Sequence, residues 1–514
     1  MDTRASIHAP ARTPRRDLLV LLATSAPSLM LQLDANIVSV SLPTIARSLN
    51  ADFAGIEWVI TAYTLSFASL LMPAGTLADR FGRKPLLLTG LALFTGASLL
   101  CGLAWNLPVL IAARALEGAG AALQLSAALA TLSHSFQGAA RARAFAFWGA
   151  VVGIGIATGP VVGGLVTQAF GWHWAFCVNL PIGIALIALV VNVVDSSRDP
   201  HATRLDLPGV ACFSSALFLT TLALIEGNRR GWRDPLIVGE LAFAAALFVL
   251  FVSVERRQAR PMLDLSYFRL PTYVGATIAQ FAFAAGMLTM LTFVPIFLQS
   301  GLAQSPANAG LMMLPMAAPL FIAPPLVSRH LAHRLSGRAL LALGLALVAL
   351  GLGWLAGVAG ALRYEPLVVG MVIVGVGAGI LNGETTKVGM AVIPKERSGM
   401  ASGAAGTVRF AGLVIGISAL GVVLYRRVDA AVGAALPHVS PLLRAALVRD
   451  VAAGHLAGTA LRDHGLHASA IFATGYQAIF ISGALFMLIS ALLTWWLVSP
   501  HETPPVGRAS HTAR

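Results

Sequence analysis

Apolar residues in this chain gather in long unbroken runs instead of alternating with polar ones. Runs of spanning length lie near residues 18 to 43, 57 to 77, 86 to 104, 107 to 131, 144 to 167, 174 to 194, 208 to 225, 236 to 254, 272 to 298, 308 to 327, 338 to 360, 366 to 393, 402 to 424 and 471 to 498. A helix needs roughly 20 apolar residues to cross a bilayer, and it satisfies its own backbone hydrogen bonds while doing so. The pattern therefore predicts an all-α polytopic membrane protein with fourteen transmembrane helices.

The breaks between runs are short and charged. The sharpest contains Gly75, Asp79, Arg80, Gly82, Arg83 and Lys84, and it is expected to be a tight loop between the second and third helices. Most of the 35 Lys and Arg residues fall in connections on this same side, whereas the short opposite connections hold only Arg47, Arg229, Arg230, Arg233 and Arg363. Positive charge near helix ends stays in the cytoplasm, so both termini are expected there and the protein in the inner (cytoplasmic) membrane. Arg4, Arg12, Arg15 and Arg16 precede the first run without a small-residue cleavage site, which reads as a retained first helix.

A composition that is 57% hydrophobic and 11% charged excludes a soluble surface. The net charge of +13 is spread along loops instead of gathered on one face, so nucleic acid is not an expected partner. Cys101, Cys177 and Cys212 sit in apolar runs, without disulfide or metal spacing, and read as small core-filling residues. No nucleotide loop, zinc-spaced histidine set or nucleophile and base pair is present, so no enzyme activity, cofactor or metal is expected.

Residues 77 to 87 align without a gap with residues 331 to 341, with His333 in place of Asp79. Taken as an internal repeat, this divides the chain into a six-helix bundle at 1–197, two intervening helices at 198–260, a second six-helix bundle at 261–500 and a tail at 501–514. The stretch 425–470 is too long for a plain connector. Within it, Ser440-Pro441 followed by Leu442, Leu443, Ala446, Leu447 and Val451 predicts a capped helix on the outer surface.

Charged side chains inside lipid-spanning helices are costly and mark function by default. The acidic ones are Asp34, Glu117 and Glu384, and the basic ones Arg114, Lys387 and Arg409. Asp34 falls about 24 Å along its helix and Arg114 about 10 Å from the outer end, depths that allow them to pair. Glu384 and Lys387 are three apart on one helix face and can neutralise each other, or contact a cationic substrate. Glu57, Glu226 and Glu240 lie near helix ends, within expected reach of water, and read as structural.

The spacing of Gly75, Asp79, Arg80, Gly82, Arg83 and Lys84 resembles the signature loop of the major facilitator superfamily of transporters. Asp34 with Ile37, Val38, Leu42 and Pro43 resembles the first-helix motif of its fourteen-helix drug:proton antiporters, although Asn36 and Ser39 replace the usual polar residues. Arg114, three residues before Glu117 and four before Gly118, resembles the fourth-helix motif associated with proton coupling. Gly153, Gly155, Gly159, Pro160, Gly163 and Gly164 resemble the exporters' antiporter motif, and the segment from Trp172 through Asn179 to Gly183 resembles that branch specifically.

The resemblance implies proton-coupled efflux of multiple drugs or small molecules by alternating access. Asp34 would be the main acid, with Asn36, Arg114, Glu117, Glu384 and Lys387 contacting proton or substrate, and Arg409 would meet the Asp79 loop. Expected partners are protons, lipophilic or cationic small molecules and membrane lipid, with a periplasmic adaptor left open. The alternatives are a substrate-proton symporter or importer and a membrane sensor without turnover.

Overall fold

The structure, a computed structural model, describes residues 14–136, 138–197, 207–257, 265–393, 398–456 and 467–504. Its spans are α1 (Pro14–Leu49), α2 (Phe53–Phe81), α3 (Arg83–Gly102), α4 (Leu107–Ser135), α5 (Gly138–Phe170), α6 (Trp174–Val193), α7 (Leu207–Arg230) and α8 (Pro235–Arg257). There follow α9 (Pro271–Gly301), α10 (Pro306–Met312 and Leu314–Leu331, bent by 46°), α11 (Gly337–Val358), α12 (Tyr364–Ala391) and α13 (Ser398–Ala435). A short helix, α14 (Pro441–Ala452), precedes α15 (Ala468–Leu497).

Among the described residues 11 helices are long and apolar enough to cross a membrane, or 12 if bent α10 is one span. The apolar stretches of α2 and α7 are shorter, Gly55–Leu71 and Pro208–Leu224. The arrangement is compatible with the fourteen expected spans. The bend in α10 falls at Met313, just before Pro315, whose ring removes a backbone donor and opposes continuation from the preceding turn. Two π-helical stretches, Phe283–Leu288 and Phe297–Gly301, lie within α9.

Packing pairs α3 with α4, α2 with α4 and α1 with α5; in the second half of the chain α11 pairs with α12 and α15, and α10 with α12. The two sets meet where α2 packs on α13, α5 on α10 and α1 on α9. Helix α7 wedges against both α2 and α13, while α8 rests on α7 and leaves Leu236, Val238, Phe243, Phe248 and Val249 exposed, as a lipid-facing helix would.

Three sequence expectations change. The segment from Gly75 to Phe81 is the last part of α2 and not loop; Gly82 alone, at φ 105°, separates α2 from α3. Only a residue without a Cβ adopts that conformation without strain, so one glycine makes the whole turn. The two aligned copies also differ, since α10 stops at Leu331 and five residues precede α11, where Ser336 caps by accepting from the Ala339 amide at 3.3 Å. The starts of the following helices, Arg83 and Gly337, do coincide in the alignment.

The outer stretch begins after Ala435, because α13 continues helically well past residue 424. Ser440 caps α14 as expected, accepting from the Leu443 amide at 3.3 Å. The buried stripe, however, is Leu447, Val448, Val451 and Ala452, while Leu442 and Leu443 are exposed. Arg444 clamps α14 to α13 by donating to the Asp429 carboxylate at 2.8 Å.

Candidate functional site

Asp34, Arg114 and Glu117 meet in one buried cluster. Arg114, on the second turn of α4, sends Nη1 to Asp34 Oδ2 at 2.8 Å and to Glu117 Oε2 at 2.6 Å, and its Nε to the Val59 carbonyl at 3.1 Å. The guanidinium also lies 4.2 Å from the Tyr63 ring centroid, a cation–π contact from α2. Its reach to Glu117 follows from the helical repeat, which stacks residues three apart on one face.

Two helices complete the cluster. Asn179, at the break in α6, donates Nδ2 to Asp34 Oδ1 at 3.0 Å and to Ser98 Oγ at 3.1 Å. Ser98 of α3 donates in turn to Glu117 Oε1, and the Cys101 thiol to Glu117 Oε2 at 3.4 Å. Cys101 is thus part of the network and not only a space-filler. Ser98 and Asn179 were missed as site residues; Ser98 stands as a polar residue in an apolar run, and Asn179 belongs to the motif after Trp172.

None of Asp34, Glu117, Ser98 and Asn179 has exposed surface, and Arg114 is 1% exposed. Two carboxylates face one guanidinium, so with both acids ionised the cluster is one positive charge short. An uncompensated charge in such surroundings costs several kcal/mol. Charge balance is met when the pair of acids holds one proton.

Asp34, with no exposed surface, does not line an open passage in this structure. Its partners lie on α4 and α6, and its face of α1 turns into the first set of helices. The reason is geometric: Asn36, two residues on, points to another face of α1 and bonds back to the Gln32 carbonyl at 2.7 Å. Asn36 therefore stands apart from the cluster, against α5.

The glycine motif explains that second face. A Cβ at Gly155 would fall 2.9 Å from Gln32 Cβ, one at Gly159 would fall 2.5 Å from Asn36 Cβ, and one at Gly163 would fall 2.7 Å from Ile37 Cα. Spaced by four, these glycines let α5 lie directly on α1. Pro160 and Gly164 serve the other side, since Gly164 abuts the Pro306 carbonyl and Gly310 abuts the Pro160 carbonyl. The helix stays continuous through Pro160. One motif thus seats α5 between α1 and α10, and Gln168 Oε1 adds a bond from the Ala307 amide at 3.2 Å.

In the second half, Lys387 donates to Glu384 at 3.0 and 3.2 Å within α12. The Lys387 side chain is 55% exposed. Arg409 donates to Asn382 Oδ1 at 3.2 Å and lies 5.2 Å from the Phe283 ring centroid. The side chain of Asp79 lies outside the described residues. The loop beside it is tied within the first set, the Arg83 amide to the Ser197 carbonyl at 2.9 Å and Lys84 Nζ to the Val191 carbonyl at 2.8 Å. A Cβ added at Gly75 would meet nothing within 4 Å, so that glycine is not held by a close packing contact.

A cavity of about 650 Å³ lies between the C-terminal ends of α1 and α9 and the segment after α14. Arg47, Gln299, Gln304, His455 and His467 line it. Gln299 also ties α9 to α1 by donating to the Val40 carbonyl at 2.6 Å. Burial holds the His455 imidazole below its usual pKa, and Asp450 opposes that shift.

The family description "Major Facilitator Superfamily" matches residues 28–417. The chain is 37% identical over 495 residues to the multidrug resistance protein Stp of Mycobacterium tuberculosis, covering 93% of this chain and 90% of that one. It is 33% identical over 520 residues to the drug efflux pump JefA of the same organism, covering 96% and 99%. Among solved structures, a peptide transporter POT in complex with sulfate aligns with a TM-score of 0.64 at 14% identity, covering 96% of each chain, a likeness of fold.

Proposed function

Because this chain belongs to the major facilitator superfamily, we propose that it exports drugs or related small molecules in exchange for protons. It is a multi-pass membrane transporter and not an enzyme. The relatives named for multidrug resistance and drug efflux support export, and a lipophilic or cationic substrate is the class such pumps imply. The distribution of Lys and Arg supports an inner-membrane location with both termini in the cytoplasm.

The observation that carries proton coupling is the buried cluster with two carboxylates to one guanidinium. A proton bound there satisfies charge balance, and its loss leaves Arg114 shared between two anions. Either change alters how α1, α4 and α6 hold together. Since the opposite face of α1 lies on the glycines of α5, and α5 also bears on α10, a shift of α1 reaches the contact between the two halves. Coupling is then indirect, through α1, and the substrate need not touch Asp34.

In this reading residues 1–197 and 261–500 form two six-helix bundles that rock in alternating access, and the outer cavity is the exit side. One proton moving inward across 100 mV supplies about 2.3 kcal/mol, enough to concentrate a small molecule. Proteoliposomes test the reading: an imposed pH gradient should drive tetraphenylphosphonium against its own gradient, in the direction opposite to protons. Asp34→Asn should insert normally and lose that dependence. Retained gradient-driven transport in the variant would overturn the assignment, and movement along with protons would establish a symporter.

A further inference from the structure

Glu57 is not in reach of water as its position near a helix end suggested. It is 6% exposed, and its Oε1 has no hydrogen-bond partner. Among the described residues six hydroxyls share that condition, of Ser25, Thr61, Thr221, Thr407, Ser418 and Tyr476; three of them bear on Glu57, Thr61 on α2 and Thr221 on α7, both 0% exposed, and Ser418 on α13, 1% exposed. Buried polar atoms are normally paired. Hydroxyls in these helices ordinarily donate to the carbonyl four residues back, as Thr24, Ser39, Thr64 and Thr131 do. Thr61, Thr221 and Ser418 do not.

The four groups lie on three helices that pack on one another, α2 on α13, α2 on α7 and α7 on α13. Leu65, Ala68, Leu217, Ala411 and Val414 form one apolar cluster at that junction. The register is set by three contacts. Phe67 lies 4.1 Å from Phe410 between ring centroids, Trp58 lies 6.2 Å from Phe218, and Ser214 donates to the Ser69 carbonyl at 3.4 Å. Helix α2 runs antiparallel to the other two, so moving outward from these contacts brings Thr61 and Glu57 level with Thr221 and Ser418. Glu57, Thr61, Leu65 and Ala68 share one face of α2, as Ala411, Val414 and Ser418 do on α13.

Among the described residues the facing stretches bring no cation to the junction, and on α13 the flanking Arg409, Arg426 and Arg427 stand two turns or more from Ser418. Residues 207 to 225 on α7 and 410 to 425 on α13 include no charged side chain. Arg114 is engaged by Asp34 and Glu117, and Glu226, further out on α7, pairs with Arg230 at 3.5 Å. Asp52, the N-cap residue of the same helix, is of like sign. An ionised Glu57 would stand uncompensated in an apolar junction.

We infer that Glu57 is a second proton-carrying acid, in a site built jointly by α2, α7 and α13, whose Thr61, Thr221 and Ser418 hydroxyls, unpaired in this structure, are available to turn toward its carboxyl group. The two inserted helices are then more than a spacer, because α7 supplies one wall. In the two-bundle reading α2 and α13 belong to different bundles, so the site holds together only while those helices stay in contact. Its consequence for transport rests on the proton-exchange reading, whereas the protonated acid itself does not.

Infrared difference spectroscopy on the purified full chain, titrated with pH, tests this. Wild type should show the carbonyl stretch of a protonated buried carboxyl group that disappears in Glu57→Gln. Thr221→Val and Ser418→Ala should each keep that band and move it to higher frequency, since each removes a hydroxyl able to bond the protonated carboxyl group. A spectrum unchanged by Glu57→Gln would overturn the proposal, and a frequency unmoved by either hydroxyl variant would overturn the three-helix site. The band should survive saturating tetraphenylphosphonium; its loss there would give the site to organic cations instead of protons. Asp34→Asn should leave it in place while abolishing proton-driven export, so the two readings fail separately.

Discussion

The charged groups of the two halves are built on opposite plans. Around Arg114 the contacts come from α1, α2, α3, α4 and α6, all buried, and every carboxylate oxygen has a partner. On α12 the Glu384–Lys387 pair is made by one turn of one helix, with its cation half exposed. A bond between distant helices responds to how those helices are placed. A bond within one turn does not, because the helix carries both partners together. The first cluster is therefore fitted to convert a protonation change into a movement, and the second to neutralise a charge where it stands.

Transport gives the widest separation between them. Glu117→Gln removes the surplus negative charge, so the variant should fold and pair Asp34 with Arg114 yet lose pH-gradient-driven efflux in vesicles. Glu384→Gln should keep that efflux within about twofold, as for a partly exposed pair. Equal losses in both would erase the contrast.

Stability separates them next. Arg114→Met strands two buried carboxylates and should cost about 3–5 kcal/mol, read as a fall in the thermal midpoint of the detergent-solubilised protein. Lys387→Met, at a half-exposed cation whose partner Glu384 is buried, should cost less, about 1–3 kcal/mol. The Arg114 loss should be partly recovered when Glu117→Gln is added, since one of the stranded charges is then gone.

The seam that relays the first cluster comes third. Gly163→Val sets a side chain against the Ile37 backbone and should cost about 1–3 kcal/mol, with transport falling further than stability because α1 and α5 are forced apart. Ser440→Ala, remote from both clusters, should cost about 1 kcal/mol through its lost cap and leave the pH dependence of efflux unchanged. A shift in that dependence would bring α14 into the coupling path.

Several features of this molecule are local properties of the chain, and those were legible before any fold was known. Helices, their order and the sidedness of charge follow from runs of adjacent residues, and the Glu384–Lys387 pair follows from helical spacing alone. The pairing of Asp34 with Arg114 was also within reach, because depth along a helix is a count of residues. What escaped was which way each side chain faces. Residues 34, 98, 114 and 179 are far apart in sequence, and only the angles at which α1, α3, α4 and α6 pack bring Ser98 and Asn179 to the carboxylates and close Asp34 off from solvent. The same packing brought Arg409 to Asn382 and buried Glu57. Sequence set where each charge lies along its own helix, since that depends on neighbours in the chain; tertiary structure decided what each charge meets, since that depends on neighbours in space.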